Sequence, residues 1–179
     1  MHPFETIVPE RRFQLFVRLL VPTFICMWLL AWSGESLRTL STQRGVLDYE
    51  FAGTPLVVAA ILDLWKDSFY ALQFNLWFDY VFMVFYASTI AMGVFMARNI
   101  LNRRDWPLGI LARPLAWGQF AAAGLDAIEN LGLIAFTFST ASHAYAPIVW
   151  WCAAIKFALV GAGIFYVLFA GLVRVFDPD

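Results

Sequence analysis

The sequence predicts an all-α membrane protein, with four transmembrane helices in an antiparallel bundle and both chain ends on the cytoplasmic side. Three observations carry that prediction. The chain is 61% hydrophobic and 14% charged, against about 45–50% and 25% in soluble domains, and its mean hydropathy is +0.70. Four apolar segments reach or exceed the roughly 20 residues needed to cross a hydrocarbon core of about 30 Å. The basic residues are split unevenly between the flanks of those segments. One side takes Arg11, Arg12, Arg18, Arg98, Arg103, Arg104, Arg113 and Arg174, and the other takes Arg38, Arg44 and Lys66. The positive-inside rule makes the richer side cytoplasmic.

The first span is expected over 13–32, after the polar N-terminal residues. Arg18 snorkels toward the Arg11 and Arg12 end, and Pro22 is expected to kink the helix. Ala31-Trp32-Ser33 loosely resembles a leader-cleavage site. Trp28, Trp32 and Pro22 make a poor cleavable core, however, so the segment reads as a retained span. The segment 33–74 reads as external and amphipathic. Within it, Thr54-Pro55 predicts a helix start, with an N-cap followed by proline in the first turn. Leu56, Val57, Ala60, Ile61, Leu64 and Trp65 then recur at helical spacing against Asp63, Lys66 and Asp67, as in a helix lying at the interface or capping the bundle. The remaining spans are expected over 75–97, 115–140 and 147–172. Only Ser139 to Ala146 joins the last two, which makes them antiparallel neighbours. Trp32, Trp65, Trp77, Trp150 and Trp151 mark the outer boundary, and Trp106 and Trp117 the inner one.

The polar centre follows from helical periodicity. On the third span Gln119, Asp126, Glu129, Asn130 and Thr137 share one face with Ala122 and Ala123, the pattern of a helix turned inward. Asn75, Asp79, Tyr86 and Gly93 form a matching stripe on the second span, and Cys152, Lys156, Leu159 and Gly163 on the fourth. Ala154, Ala158 and Ala162 make a separate seam of small residues. At 1.5 Å per residue, Glu129 and Lys156 both lie roughly 15 Å from the outer ends of their helices, so Lys156 is placed to pair with Glu129 or Asp126. The expected site is Asp79, Tyr86, Asp126, Glu129, Asn130 and Lys156. Three carboxylates against one lysine leave at least one acid to take a proton, face water or bind a cation.

Several chemistries are disfavoured. The formal charge of −1 predicts no nucleic-acid partner. Cys26 and Cys152 lie in apolar segments without a CxxC, and His2 and His143 lie outside the spans, so neither a metal site nor a cofactor is expected. No phosphate-cradling glycine loop or nucleophile elbow is present. Arg98, Arg103, Arg104 and Arg113 read first as a topogenic basic loop, with anionic headgroup binding as the alternative.

Glu50-Phe51-Ala52-Gly53-Thr54-Pro55, Ala60-Ile61-Leu62-Asp63-Leu64-Trp65, Phe78-Asp79-Tyr80-Val81-Phe82 with Tyr86, and Leu125-Asp126-Ala127-Ile128-Glu129-Asn130 together resemble a group of small uncharacterised bacterial four-helix membrane proteins. The resemblance covers about Gly45 to Leu133. It implies a bacterial inner-membrane location and no particular activity. Three functions therefore stay open. The first is a binding or transport-type site for a cation, a proton or an amphiphile headgroup. The second is a structural or accessory subunit in which the polar cluster is a packing staple. The third is a lipid or isoprenoid enzyme with Asp126 or Glu129 as acid/base. Expected partners are membrane lipid and, because four spans are few for a solitary pathway, a homo-oligomer or a larger membrane complex.

Overall fold

The computed structural model describes residues 2–176. Met1 and residues 177–179 lie outside the described residues, and with them both chain ends of the predicted topology and the outer limits of a single domain over 1–179. Six α-helices and several short 3-10 turns make up the fold, with no strand among the described residues. The α-helices are α1 (Pro9–Ser33), α2 (Val46–Glu50), α3 (Pro55–Leu64), α4 (Phe69–Arg103), α5 (Ala112–Phe138) and α6 (Ala146–Phe176). Among the described residues, four helical stretches are long and apolar enough to cross a membrane.

The long helices outrun the apolar windows that predict them. α4 has 35 residues, about 50 Å at the usual rise. Nothing between Phe69 and Arg103 breaks a helix, so backbone hydrogen bonding carries it through Gln73 and Arg98 at its polar ends. It stops where Asp105 takes φ 53°. There the Trp106 N–H donates to the Leu101 carbonyl at 3.0 Å and the Asp105 N–H to that of Asn102 at 3.4 Å, the paired bonds of a Schellman stop. α5 begins before Pro114 rather than after it, because proline is tolerated in a first helical turn. α1 continues through Pro22, and the Thr23 hydroxyl donates to the Leu19 carbonyl at 2.8 Å.

Two compact units share these helices. The first comprises Met1–Thr23, Val84–Ala123 and Phe157–Asp179, and the second Phe24–Met83 and Gly124–Lys156. In the first, Ala91, Val94, Phe95, Leu101, Ala116, Tyr166 and Ala170 form a core. Gly163 permits close helix approach there, since a Cβ on it would collide with the Gln119 amide and lie 2.8 Å from Ile90. The N-terminal residues belong to this core as well. His2 is buried against Phe4, Phe95, Trp117 and Phe120. Glu5 accepts from the His2 backbone N–H at 3.1 Å, from Arg113 at 3.2 Å and from Arg98 at 2.7 Å. Those donors, the His2 N–H foremost, hold its carboxyl down at about 2.

The second unit is built around Leu37, Tyr49, Val58, Ile61, Trp65, Leu72, Leu76, Leu133 and Phe136. α3 starts as predicted, with the Thr54 hydroxyl accepting from the Val57 N–H at 3.4 Å and Pro55 in the first turn. Its buried face differs from the expected one. Val58, Ile61 and Trp65 point into the core, while Leu56, Val57 and Leu64 are exposed. The helix is apolar on both sides, so periodicity alone does not select which side packs.

Candidate functional site

The second unit contains a polar cluster assembled from four helices. α5 brings Asp126, Glu129 and Asn130 inward because positions three and four apart share a helix face. α6 supplies Lys156, α4 supplies Asp79, and α2 supplies Glu50. Glu129 is fully buried, Asn130 and Asp126 nearly so, and Lys156 is 5% exposed.

Lys156 is the focus. Its Nζ donates to Asp126 Oδ1 at 2.6 Å and to Glu129 Oε1 at 3.0 Å. Glu129 Oε2 also lies 3.0 Å away, and Glu50 Oε2 lies 3.3 Å away. These last two oxygens are buried and receive no hydrogen bond, so the ammonium reaches them by charge and not by direction. Asp79 joins the cluster through Asn130, whose Nδ2 donates to Asp79 Oδ2 at 2.8 Å and to the Leu76 carbonyl at 3.3 Å. Asn130 thereby bridges α5 to α4. The Tyr80 hydroxyl adds a second tie between these helices by donating to the Ala127 carbonyl at 3.2 Å.

Of the six residues expected from the sequence, five come together here: Asp79, Asp126, Glu129, Asn130 and Lys156. Tyr86 belongs to the other unit, where it is 7% exposed. Lys156 meets both acids that depth matching offered it.

Glu50 is the addition. The segment carrying it reads in sequence as external and amphipathic, yet its carboxyl reaches Lys156. A short chain of anchors explains this. Gly45 precedes α2 at φ 62°, and the Arg44 backbone N–H and Nε each donate to Asp48 at 2.8 Å, closing the first turn. Tyr49 then stacks edge-on against Trp65 and Phe136 and donates its hydroxyl to the Leu133 carbonyl at 3.0 Å. Trp65 is in turn held by its Nε1–H on Thr42 at 3.2 Å. With Tyr49 fixed, the next residue is carried to the Lys156 level. Burial pushes the Glu50 carboxyl up, and the Lys156 cation only partly opposes it. The signal in the sequence is Tyr49-Glu50-Phe51 followed by Gly53, an acid between two aromatics ahead of a glycine turn.

With every acid ionised, four carboxylates against one ammonium give the cluster a net charge of −3. Such a charge in a low-dielectric interior is untenable without protons or counter-cations. Lys156 already occupies the focus of three carboxylates, so a metal cation would have to share its oxygens with the ammonium and be repelled by it. Protons are the remaining small positive charges. Comparison with known protein families, curated proteins and solved structures finds no match to this chain.

Proposed function

We propose that this chain is a polytopic inner-membrane protein whose acidic centre binds and releases protons, the simplest form of a binding or transport-type site. One observation carries this reading. Glu50, Asp126 and Glu129 surround Lys156 and Asp79 joins them through Asn130, so four acids share one ammonium, and the buried oxygens Glu50 Oε2 and Glu129 Oε2 lack a hydrogen-bond donor. A proton on either oxygen would supply both the missing donor and the missing charge.

The membrane reading is supported by the four long apolar helices and by outward-facing Trp28, Phe165, Leu168 and Phe138, each more than 60% exposed. Such a surface needs hydrocarbon around it. The orientation with both ends cytoplasmic is supported by charge. The unit that includes the chain ends holds eight of the twelve basic residues, and the unit with the polar centre holds eight of the thirteen acids.

A staple that fixes helix pairing is the second reading, favoured by the way Lys156 ties α2, α5 and α6 at once. Infrared difference spectroscopy on protein in lipid nanodiscs separates the two. The proton-binding reading expects a protonated-carboxyl band that titrates between about pH 5 and pH 9 and shrinks in Glu129→Gln. A centre with no titrating carboxyl band in that range is a staple, and the proposal fails.

A further inference from the structure

The first unit carries a separate cavity of about 380 Å³, within the range of small-ligand sites. Arg12, Arg103, Arg104 and Arg174 line it, and no described lining residue is acidic. These guanidiniums come from the start of α1, the end of α4 and the end of α6, so the fold gathers cations that lie far apart in sequence. Arg12 is held in place, its Nε donating to the Ile7 carbonyl at 2.9 Å and its Nη2 to the Glu5 carbonyl at 3.1 Å. Asn99 adds a neutral polar group. The remaining wall is apolar, made by Phe13, Met96 and Ile100.

Arg12, Arg103 and Arg174 converge on one space from three helix ends, and a planar donor fork for a polyanion is what arginine offers better than lysine. Phosphate oxygens match that fork in pairs. The apolar wall and the position at the ends of membrane-length helices suit a ligand that is part anion and part hydrocarbon. We propose that this cavity binds a phosphate-bearing anion, with the phosphate among Arg12, Arg103 and Arg174 and the glycerol and chain of an anionic lipid against Phe13, Met96 and Ile100. The site is independent of the acidic centre and stands whether or not that centre handles protons.

Native mass spectrometry of the detergent-purified full chain tests it, with phosphatidylglycerol and phosphatidylcholine offered in equal amounts. The expected result is preferential retention of phosphatidylglycerol. The double variant Arg103→Gln/Arg174→Gln should lower that retention roughly 25-fold, about fivefold for each arginine lost near a membrane surface. Arg38→Gln/Lys66→Gln removes the same charge elsewhere and should keep the preference. Arg103→Lys/Arg174→Lys keeps the charge without the fork, so it remains informative if the glutamine variant does not fold, and should show intermediate retention. A parallel arm measures the thermal midpoint with inorganic phosphate. A phosphate-induced rise that disappears in the cavity variant, without lipid selectivity, supports the phosphate site and assigns it a soluble anion. Equal retention of both lipids together with no phosphate response, or cavity variants that behave as the wild type, overturns the proposal.

Discussion

Lys156 shows how much one side chain can decide. It is 5% exposed and faces three carboxylates within 3.3 Å. Replacing one partner of a buried ion pair strands the others, which costs about 3–5 kcal/mol. Lys156→Met should therefore destabilise the protein by that amount in reversible unfolding from detergent. The double variant Lys156→Met/Glu129→Gln should recover part of the loss, because one stranded acid has been neutralised. A single variant as stable as wild type would show that Lys156 does not hold the cluster together. Glu50 makes a pH-dependent prediction. Its carboxyl is pushed up by burial, so it holds its proton more tightly folded than unfolded. The associated stability is complete below the ordinary carboxylate range and declines as pH rises through the raised value. Glu50→Gln should flatten that decline, leaving the variant more stable than wild type on the alkaline side. Thermal midpoints collected across pH check the sign directly.

At the scale of elements, the short α2 depends on its flanking turns more than on its own helix propensity. Five residues form barely more than one turn, and helix nucleation is unfavourable on its own. Gly53 turns the chain from α2 into α3 at φ 67°, and a Cβ there would lie 3.3 Å from the Trp150 ring. Gly53→Ala should cost about 1–2 kcal/mol from the left-handed backbone alone. It should also loosen the seat of Glu50, seen as increased hydrogen exchange at the amides of Tyr49 and Glu50. An alanine variant with unchanged exchange would show that Tyr49 and Trp65 hold α2 without help from the turn. α5 makes the contrasting case. It packs its polar face by helical spacing alone, and its stripe from Gln119 to Asn130 is buried as periodicity requires.

At the scale of the whole molecule, charge is segregated along the fold. The basic residues concentrate in one compact unit, and the acids in the other. A membrane potential and the insertion machinery both read such an asymmetry. The orientation argued from it predicts that Ser41→Cys, in the exposed loop after α1, reacts with an impermeant maleimide added to intact spheroplasts. Ile110→Cys, 80% exposed between α4 and α5, should react only after permeabilisation. The native Cys26 and Cys152 are buried and should give little background. The reverse labelling pattern would invert the topology.

The sequence by itself determined the helical class, the four long apolar helices and most of the polar centre. These rest on local quantities, namely hydropathy over a window and the 3.6-residue period. Asp126, Glu129, Asn130, Asp79 and Lys156 were legible because each sits on a long helix whose inward face is marked by small and polar neighbours. Helix ends were less legible, since backbone hydrogen bonding continues past the apolar window until an Asp105-type stop. The packed face of α3 was not legible either, because both of its faces are apolar. Only the tertiary structure brought Glu50 to Lys156. α2 is too short to show a period, and its place is set by Tyr49, Trp65 and Leu133, contacts between residues distant in sequence. The arginine cavity is of the same kind. Each arginine reads separately as a topogenic charge, and only the fold brings the ends of α1, α4 and α6 around one space.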